Sequence, residues 1–479
     1  WQSACRTGDT SAHARARMRK RFPQLLVITP ESLSLLLSHP DARERFSNLR
    51  VAVVDEWHEL IGSKRGTQTE LCLARLRRWR PQLRTWGLSA TLGNSDQAMH
   101  TLLGGRPGRL IAASGGSEVA VECLLPNEIE RFPWSGHLGL KMLGTVAARI
   151  SDARSTLVFT NTRSQCEIWF EELRRGGQPW RDRIAIHHGS IDSAARNAAE
   201  AGLADGSLRC VVCTSSLDLG VDFSPVDQVV QIGSPKGVAR LLQRAGRSGH
   251  QPGVTSRVLC VPTNALEIIE FAAARNAIDN QRIEPRLPPA KPLDVLAQHL
   301  VTCALGGGFQ APDLLAEVRS AASYRDLSDS EWQWTLDFVR HGGGALERYQ
   351  HYRKVAVDER GIHHVPSQRV ARNHRMSIGT IGSHATLTVK FSNGRRLGGI
   401  EERFASKLKR GDCFLFAGRH LEITRIDAQA LSVKPARKSA SVAAGMGGRM
   451  PLSTELAQAV QELVVGAADT PELAAVRPL

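Results

Sequence analysis

The residues best suited to chemistry fall into two clusters. The first is Asp55-Glu56-Trp57-His58, at the end of the apolar run Val51-Ala-Val-Val54. Adjacent carboxylates can divide the work of phosphate hydrolysis, one holding Mg²⁺ and the other orienting or deprotonating the attacking water. The second is Gln243-Arg-Ala-Gly-Arg-Ser-Gly-His250, with Arg244 and Arg247 at i and i+3. Two guanidinium groups at that spacing are costly in a core and make sense facing a phosphate, which their planar forks grip in pairs of hydrogen bonds. Between the clusters lie hydroxyl-rich runs: Ser89-Ala-Thr91, Thr160-Asn-Thr-Arg163 and Thr214-Ser-Ser-Leu-Asp-Leu-Gly-Val-Asp222. Taken alone, the acidic tetrapeptide reads equally well as a strand followed by a solvated turn.

Positioning these groups requires strands that end where the polar residues begin. Val51–Val54 has three β-branched residues in four and predicts a strand buried on both faces of a parallel sheet. Asp55 and Glu56 then sit at its C-terminal end, where open α/β sheets bind ligands. Residues 1–24 are basic and helix-forming, and Leu25–Ile28 reads as a second buried strand. Thr29 follows as an N-cap with Pro30 at the first helical position. Free N–H groups there can bind phosphate, although ordinary capping explains the pattern as well. A helix carrying Leu71, Ala74 and Arg78 leads to a strand over residues 85–91. A second strand–helix layer begins near Val119, with strands over 155–159, 184–187, 208–213 and 229–232 and Ser190 as an N-cap. Such alternation predicts an α/β fold with parallel sheets.

The prolines at 285, 288, 289 and 292 mark a linker into the helical stripe Leu293, Leu296, Ala297, Leu300 and Val301. Trp332, Leu336 and Val339 form another helix face. From His374 the period changes to two: Leu387, Val389 and Phe391 alternate with polar residues, and Asn393-Gly394 predicts a hairpin turn. Short strands over 413–416, 421–423 and 431–433 complete a small β-barrel.

At 479 residues the chain should hold about three domains. A hydrophobic share of 42% supports a sizeable core, and a formal net charge of +15 points to a polyanion partner, most simply nucleic acid. Compositional drift in an Arg-rich chain is the competing explanation. The nine cysteines are odd in number and scattered, as in a reduced, cytosolic protein. Cys210-Val-Val-Cys213 has the spacing of a metal knuckle, but it lies in an apolar strand without a second pair and reads as core. No apolar run approaches the ~18 residues of a membrane span. The polar start, opening on Trp1, does not resemble a signal peptide.

In order, Asp-Glu-Trp-His, Ser-Ala-Thr, Thr-Asn-Thr-Arg, Thr-Ser-Ser-Leu-Asp-Leu-Gly-Val-Asp and Gln-Arg-Ala-Gly-Arg-Ser-Gly-His resemble the motifs of superfamily 2 DEXH-box helicases. The later helical region resembles the winged-helix domain of the large helicase-related (Lhr) family. His374–Ile381 and Gly447–Ser453 are similar to segments of its ligase-associated DEXH-box branch. The resemblance implies a partial first RecA-like lobe (1–113), a second lobe (114–283), a winged-helix domain (284–372) and a β-barrel-like domain (373–479). It implies ATP and Mg²⁺ as cofactors and 3′→5′ translocation on DNA in repair. The DNA would be single-stranded or a tailed duplex, with an RNA–DNA hybrid left open. A DNA ligase and other repair proteins would be partners by family analogy, with no membrane, in the nucleoid-associated cytoplasm of a bacterium. By the same resemblance Asp55 holds Mg²⁺ and Glu56 acts on the attacking water. His58, with Ser89 and Thr91, couples hydrolysis to strand movement, with Ser89 and Thr91 on the ATP side. Gly220 and Asp222 meet the nucleotide from the second lobe. Gln243 and Arg247 approach the γ-phosphate with Arg244 alongside, Arg247 as the arginine finger. Thr29, Thr160, Arg163 and Thr214 grip the nucleic-acid backbone, with Lys64 and Arg65 as weaker candidates.

Three departures qualify the resemblance. ATP binding uses G-x-x-x-x-G-K-[ST], and no Gly-Lys dipeptide occurs in this chain. The family carries that loop upstream of the segment where this chain opens. The expectation is therefore a truncated chain, with its first lobe incomplete, that by itself does not hydrolyse ATP. The alternative is a nucleic-acid-binding protein without ATPase activity. His250 stands where the superfamily often has Arg, and Gly445 where the family tends to have a base-stacking Trp.

Overall fold

The computed structural model describes residues 1–8, 10–90, 92–112, 119–126, 139–218, 226–249, 255–342, 353–378, 386–401, 405, 408–427, 430–436, 441–442, 451–466 and 470–476. The chain forms two compact units, Trp1–Ala112 with Pro285–Ser383, and Ala113–Glu284 with His384–Leu479.

In the first unit, strand Ser3–Arg6 pairs in parallel with Leu25–Ile28, and Val51–Val54 pairs in parallel with Arg84–Gly87. The helix-forming reading of residues 1–24 holds for Ala12–Lys20 but fails for Ser3–Arg6, which the distant partner strand holds extended. The expectation that both faces of these strands are buried also fails. Helices Pro30–Leu37 and Lys64–Trp79 cover one face, taking in Leu26, Ile28, Ala52 and Val54. The alternate residues Leu25, Val27, Val51 and Val53 are exposed, as are Trp86 and Leu88. Apolar runs cannot distinguish a strand covered on one face from one covered on two, because the second helix layer is set elsewhere in the chain.

Helices Leu293–Leu305, Ala311–Arg319 and Asp329–His341 and the antiparallel pair Ala356–Val357/His363–His364 follow in the same unit, three helices and a two-stranded wing. Leu296, Leu300, Val318, Tyr324 and Val339 form their core, and the helical stripe beginning at Leu293 faces it. Helix Gln368–Ser377 carries His374, so the change to period two begins later than the sequence suggested.

The second unit is built on a six-stranded, all-parallel sheet in the order Val119–Cys123, Ser256–Val261, Gln228–Ile232, Thr156–Phe159, Cys210–Cys213, Ile184–His187. One apolar cluster with Trp169 and Phe170 covers one face, and a second with Phe159 and Phe271 covers the other. Cys210 joins the first cluster and Cys213 the second, so the two thiols point to opposite faces and cannot share a metal. Asp192, not Ser190, caps helix Ser193–Ala204, its carboxylate accepting from Ala194 N at 2.8 Å.

The C-terminal part of this unit is a curled, mixed six-stranded sheet around Val389, Phe414, Leu421, Ile423, Leu431 and Val433. Asn393-Gly394 makes the predicted turn, with Gly394 at φ +83°. Gly398 (φ +151°) lies so close to the Ser190 carbonyl that an added Cβ would stand 1.6 Å away, and Gly399 N donates to that carbonyl at 3.0 Å.

Candidate nucleotide and nucleic-acid site

Strand Val51–Val54 delivers Asp55 and Glu56 to its C-terminal end, as the sequence required. Asp55 is exposed, and its Oδ1 accepts the Glu56 N–H at 2.9 Å. Glu56 is held in the left-handed region (φ 50°, ψ 42°), a conformation that costs a non-glycine residue about 1–3 kcal/mol. The neighbours enforce it. Leu88 N donates to Val54 O and Trp57 N to Leu88 O, both at 2.9 Å. The buried Trp57 indole donates to Ala98 O at 2.9 Å. The turn therefore fixes both carboxylates at the mouth of the sheet.

His58 is 2% exposed, and its Nδ1 accepts the Ala90 N–H at 3.2 Å. This bond ties the acidic turn to Ser89-Ala-Thr91. Burial lowers the His58 pKa, opposed by the carboxylates of Glu59 and Glu56, so the imidazole stays neutral and Nδ1 keeps its lone pair. Ser89 is exposed, with its hydroxyl turned to Ala90 O at 2.8 Å. Thr91 lies outside the described residues.

Thr29 caps helix Pro30–Leu37, accepting from Ser32 N at 3.3 Å. Lys64 is paired with Asp294, and Arg65 Nε with Glu31 at 2.6 Å. Both bases are exposed at the start of one helix but already have acidic partners.

The second unit carries the arginine cluster on helix Val238–Ala245 and the turn after it. Its N-terminus is capped by the buried Glu284 carboxylate, which accepts from Val238 N and from Ala239 N (2.7 Å). Arg244 is 2% exposed and does not face outward as the i, i+3 spacing suggested. Its Nε and Nη2 donate to Asp218 at 2.8 and 3.3 Å, Nη1 to Gln231 Oε1 at 2.6 Å, and its guanidinium lies 4.8 Å over the Phe159 ring. An anionic partner in reach makes the buried cation tolerable. Arg247 is half-buried, and its Nη2 donates to the Asp218 carbonyl at 2.7 Å. Asp218 thus holds both arginines, one by its side chain and one by its backbone. Sequence reasoning did not single it out, although it lies inside the quoted Thr-Ser-Ser-Leu-Asp run. Gln243 is half-buried on the same helix, and Gly220, Asp222 and His250 lie outside the described residues.

Thr160 and Thr214 end adjacent strands. Thr160 is fully buried and gives its hydroxyl to the carbonyls of Cys213 and Thr162 (3.1 and 3.2 Å), a tie between strands and not an outward contact. Arg163 is exposed at the first position of helix Arg163–Arg175. Thr214 is 8% exposed, and its N–H donates to His187 O at 3.3 Å. Next to it, Ser216 Oγ lies 2.7 Å from His187 Nδ1, whose Nε2 lies 2.9 Å from Glu200. Gly445 lies outside the described residues.

Three family models match this chain: "DEAD/DEAH box helicase" over residues 2–99, "Helicase conserved C-terminal domain" over 140–251, and "Large helicase-related protein, winged helix domain" over 276–443. The chain is 33% identical to ATP-dependent helicase Lhr-Core of Methanothermobacter thermautotrophicus, over 96% of this chain and 54% of that protein. It is 29% identical to the Lhr helicase/uracil glycosylase of Escherichia coli, over 90% of this chain and 31% of that protein. The structure of Mycobacterium smegmatis helicase Lhr bound to ssDNA and AMP-PNP superposes with a TM-score of 0.71 at 30% identity, covering 80% of this chain and 49% of that one. The chain spans about half the length of the archaeal relative and less of the bacterial one. The parallel sheet, the ordered motifs and the three matched regions lead to one conclusion: this chain belongs to the large helicase-related (Lhr) family.

Proposed function

We propose that this chain is the motor region of an ATP-dependent DNA helicase that translocates 3′→5′, with single-stranded or tailed duplex DNA as its substrate. The observation that carries the reading is the fixed Asp55–Glu56 turn, joined to the next strand end by the hydrogen bond from Ala90 N to His58 Nδ1. Asp55 and Glu56 suit Mg²⁺ and water: one exposed carboxylate at a strand end, and a second held beside it. Mg²⁺, when bound with ATP, neutralises phosphate charge. Glu56 accepts the proton of the attacking water, His58 senses the adjoining strand, and Arg247 stabilises charge developing on the γ-phosphate. By family likeness Gln243 is assigned to the γ-phosphate, Gly220 and Asp222 to the nucleotide, and Ser89 and Thr91 to the ATP side. Arg163 and the Thr214 turn contact the DNA backbone, as do Thr29, Lys64 and Arg65 after exchanging their present partners. Arg244 and Thr160 act through position, one holding Asp218 and the other joining two strands.

A role in DNA repair, a ligase-associated setting, partners such as a DNA ligase, and action in the bacterial cytoplasm at the nucleoid extend this reading. Its support is family likeness: the relatives' names say ATP-dependent helicase, and the M. smegmatis protein was seen with ssDNA. A second reading, DNA binding without ATP hydrolysis, is favoured for these 479 residues alone by the lack of any Gly-Lys dipeptide. Strand displacement separates the two. Extended at its N-terminus by a segment carrying the phosphate-binding loop, the chain should unwind a 3′-tailed duplex with ATP but not a 5′-tailed one. Unwinding of neither duplex would defeat the motor reading, and unwinding of the 5′-tailed duplex would reverse its direction.

A further inference from the structure

The nucleotide and DNA reading uses none of a buried cluster in the first unit. His299 and Cys303 lie at i and i+4 on one face of helix Leu293–Leu305, and Glu317 reaches them from helix Ala311–Arg319. All three residues are buried, at 5%, 2% and 5% exposure. Their nitrogen, sulfur and oxygen ligand atoms lie within 4.8 Å of one another, with His299 Nε2 3.3 Å from Cys303 Sγ. Tetrahedral zinc has bonds of about 2.0–2.3 Å, which separates neighbouring ligand atoms by roughly 3.3–3.8 Å. The His–Cys separation is already that of a ligand pair.

The carboxylate supplies the second observation. Glu317 Oε2 accepts from Arg75 Nη1 at 3.1 Å, while Oε1 is buried with no hydrogen-bond partner among the described residues. A plain polar core explains the His299–Cys303 contact but leaves that oxygen at the cost of a buried acceptor without a donor. A cation held by the three side chains through this carboxylate offsets that cost. We propose that His299, Cys303 and Glu317 form a Zn²⁺ site that clamps the first two helices of the winged-helix segment together. Binding exchanges the Cys303 thiol proton, released to solvent, for a sulfur–zinc bond. Thiolate and carboxylate together offset the dication, and Arg75 remains as an outer-shell donor on Glu317, a common arrangement around ligating carboxylates. Cys72, buried on the same helix as Arg75, interacts electrostatically with the Cys303 thiol.

The test uses the full 479-residue chain, freed of metal and titrated with Co²⁺, whose thiolate complexes absorb by charge transfer. Wild type should give a saturable band at one Co²⁺ per chain that Zn²⁺ displaces, and Zn²⁺ should raise the melting temperature. Cys303→Ser should lose the band, and Glu317→Gln should bind at least about tenfold more weakly. Cys5→Ser, at an exposed cysteine outside the cluster, should keep it. Absence of a band in wild type overturns the proposal whatever the variants do, and so does a band that survives in a folded Cys303→Ser.

Discussion

Arg244 gives its donors to Asp218 and Gln231 in the core, whereas Arg247, three positions on, is half-buried and bonded to a backbone carbonyl. Their substitutions should separate accordingly. Arg244→Ala leaves Asp218 buried without its cation and should cost roughly 3–5 kcal/mol in chemical denaturation. Arg247→Ala should leave stability near wild type. In a chain supplied with the phosphate-binding loop it should slow ATP turnover by about 10³–10⁵ while DNA affinity changes little. Turnover at the wild-type rate would show that Arg247 is an ordinary surface base. A second residue sets a pH dependence. Glu70 is buried, accepts from Ser323 N and Oγ at 2.9 and 2.8 Å, and burial raises its pKa from 4.5 to about 7. Between those values the folded chain binds more protons than the unfolded one, so this residue's contribution to stability falls as pH rises from 4.5 to about 7 and is level above. Glu70→Gln should therefore melt higher than wild type at pH 8, with the gap closing by pH 4.5.

At the scale of elements, the curled sheet approaches the parallel layer at two glycines where a side chain would not fit. Gly398 faces Ser190 O, and a Cβ on Gly418 (φ +65°) would lie 2.4 Å from the Phe170 ring. Gly398→Ala should displace strand Arg396–Glu401 and lower stability by more than the ~1 kcal/mol of an average substitution. A thermal melt unchanged from wild type would contradict that close approach. The strands of this sheet were legible because one face is apolar at period two, as Leu387 and Val389 show. Strand Ser3–Arg6 was not, since its four residues are extended only by pairing with Leu25–Ile28. The acidic turn was legible because apolar residues stop abruptly at Asp55. The inward turn of Arg244 was hidden because it depends on Asp218, twenty-six positions away in sequence. Thr160 was misleading for a related reason: a hydroxyl at a strand end suits a phosphate or a neighbouring carbonyl equally, and only the folded sheet puts Cys213 O in reach.

Over the whole molecule, a net charge of +15 should make DNA binding steeply salt-dependent, even without nucleotide. The logarithm of the single-strand association constant should fall linearly with the logarithm of salt, with a slope of about −0.7 per phosphate contacted. Affinity indifferent to salt would remove the electrostatic part of the account. The activity proposed for the Asp55–Glu56 turn is ATP hydrolysis stimulated by DNA. The direct measurement is steady-state ATP turnover with and without single-stranded DNA, for the chain extended by a phosphate-binding loop and for its Glu56→Gln variant. The expected result is turnover that DNA stimulates and that Glu56→Gln abolishes while DNA binding persists. Turnover indifferent to DNA, or undiminished in Glu56→Gln, would contradict it.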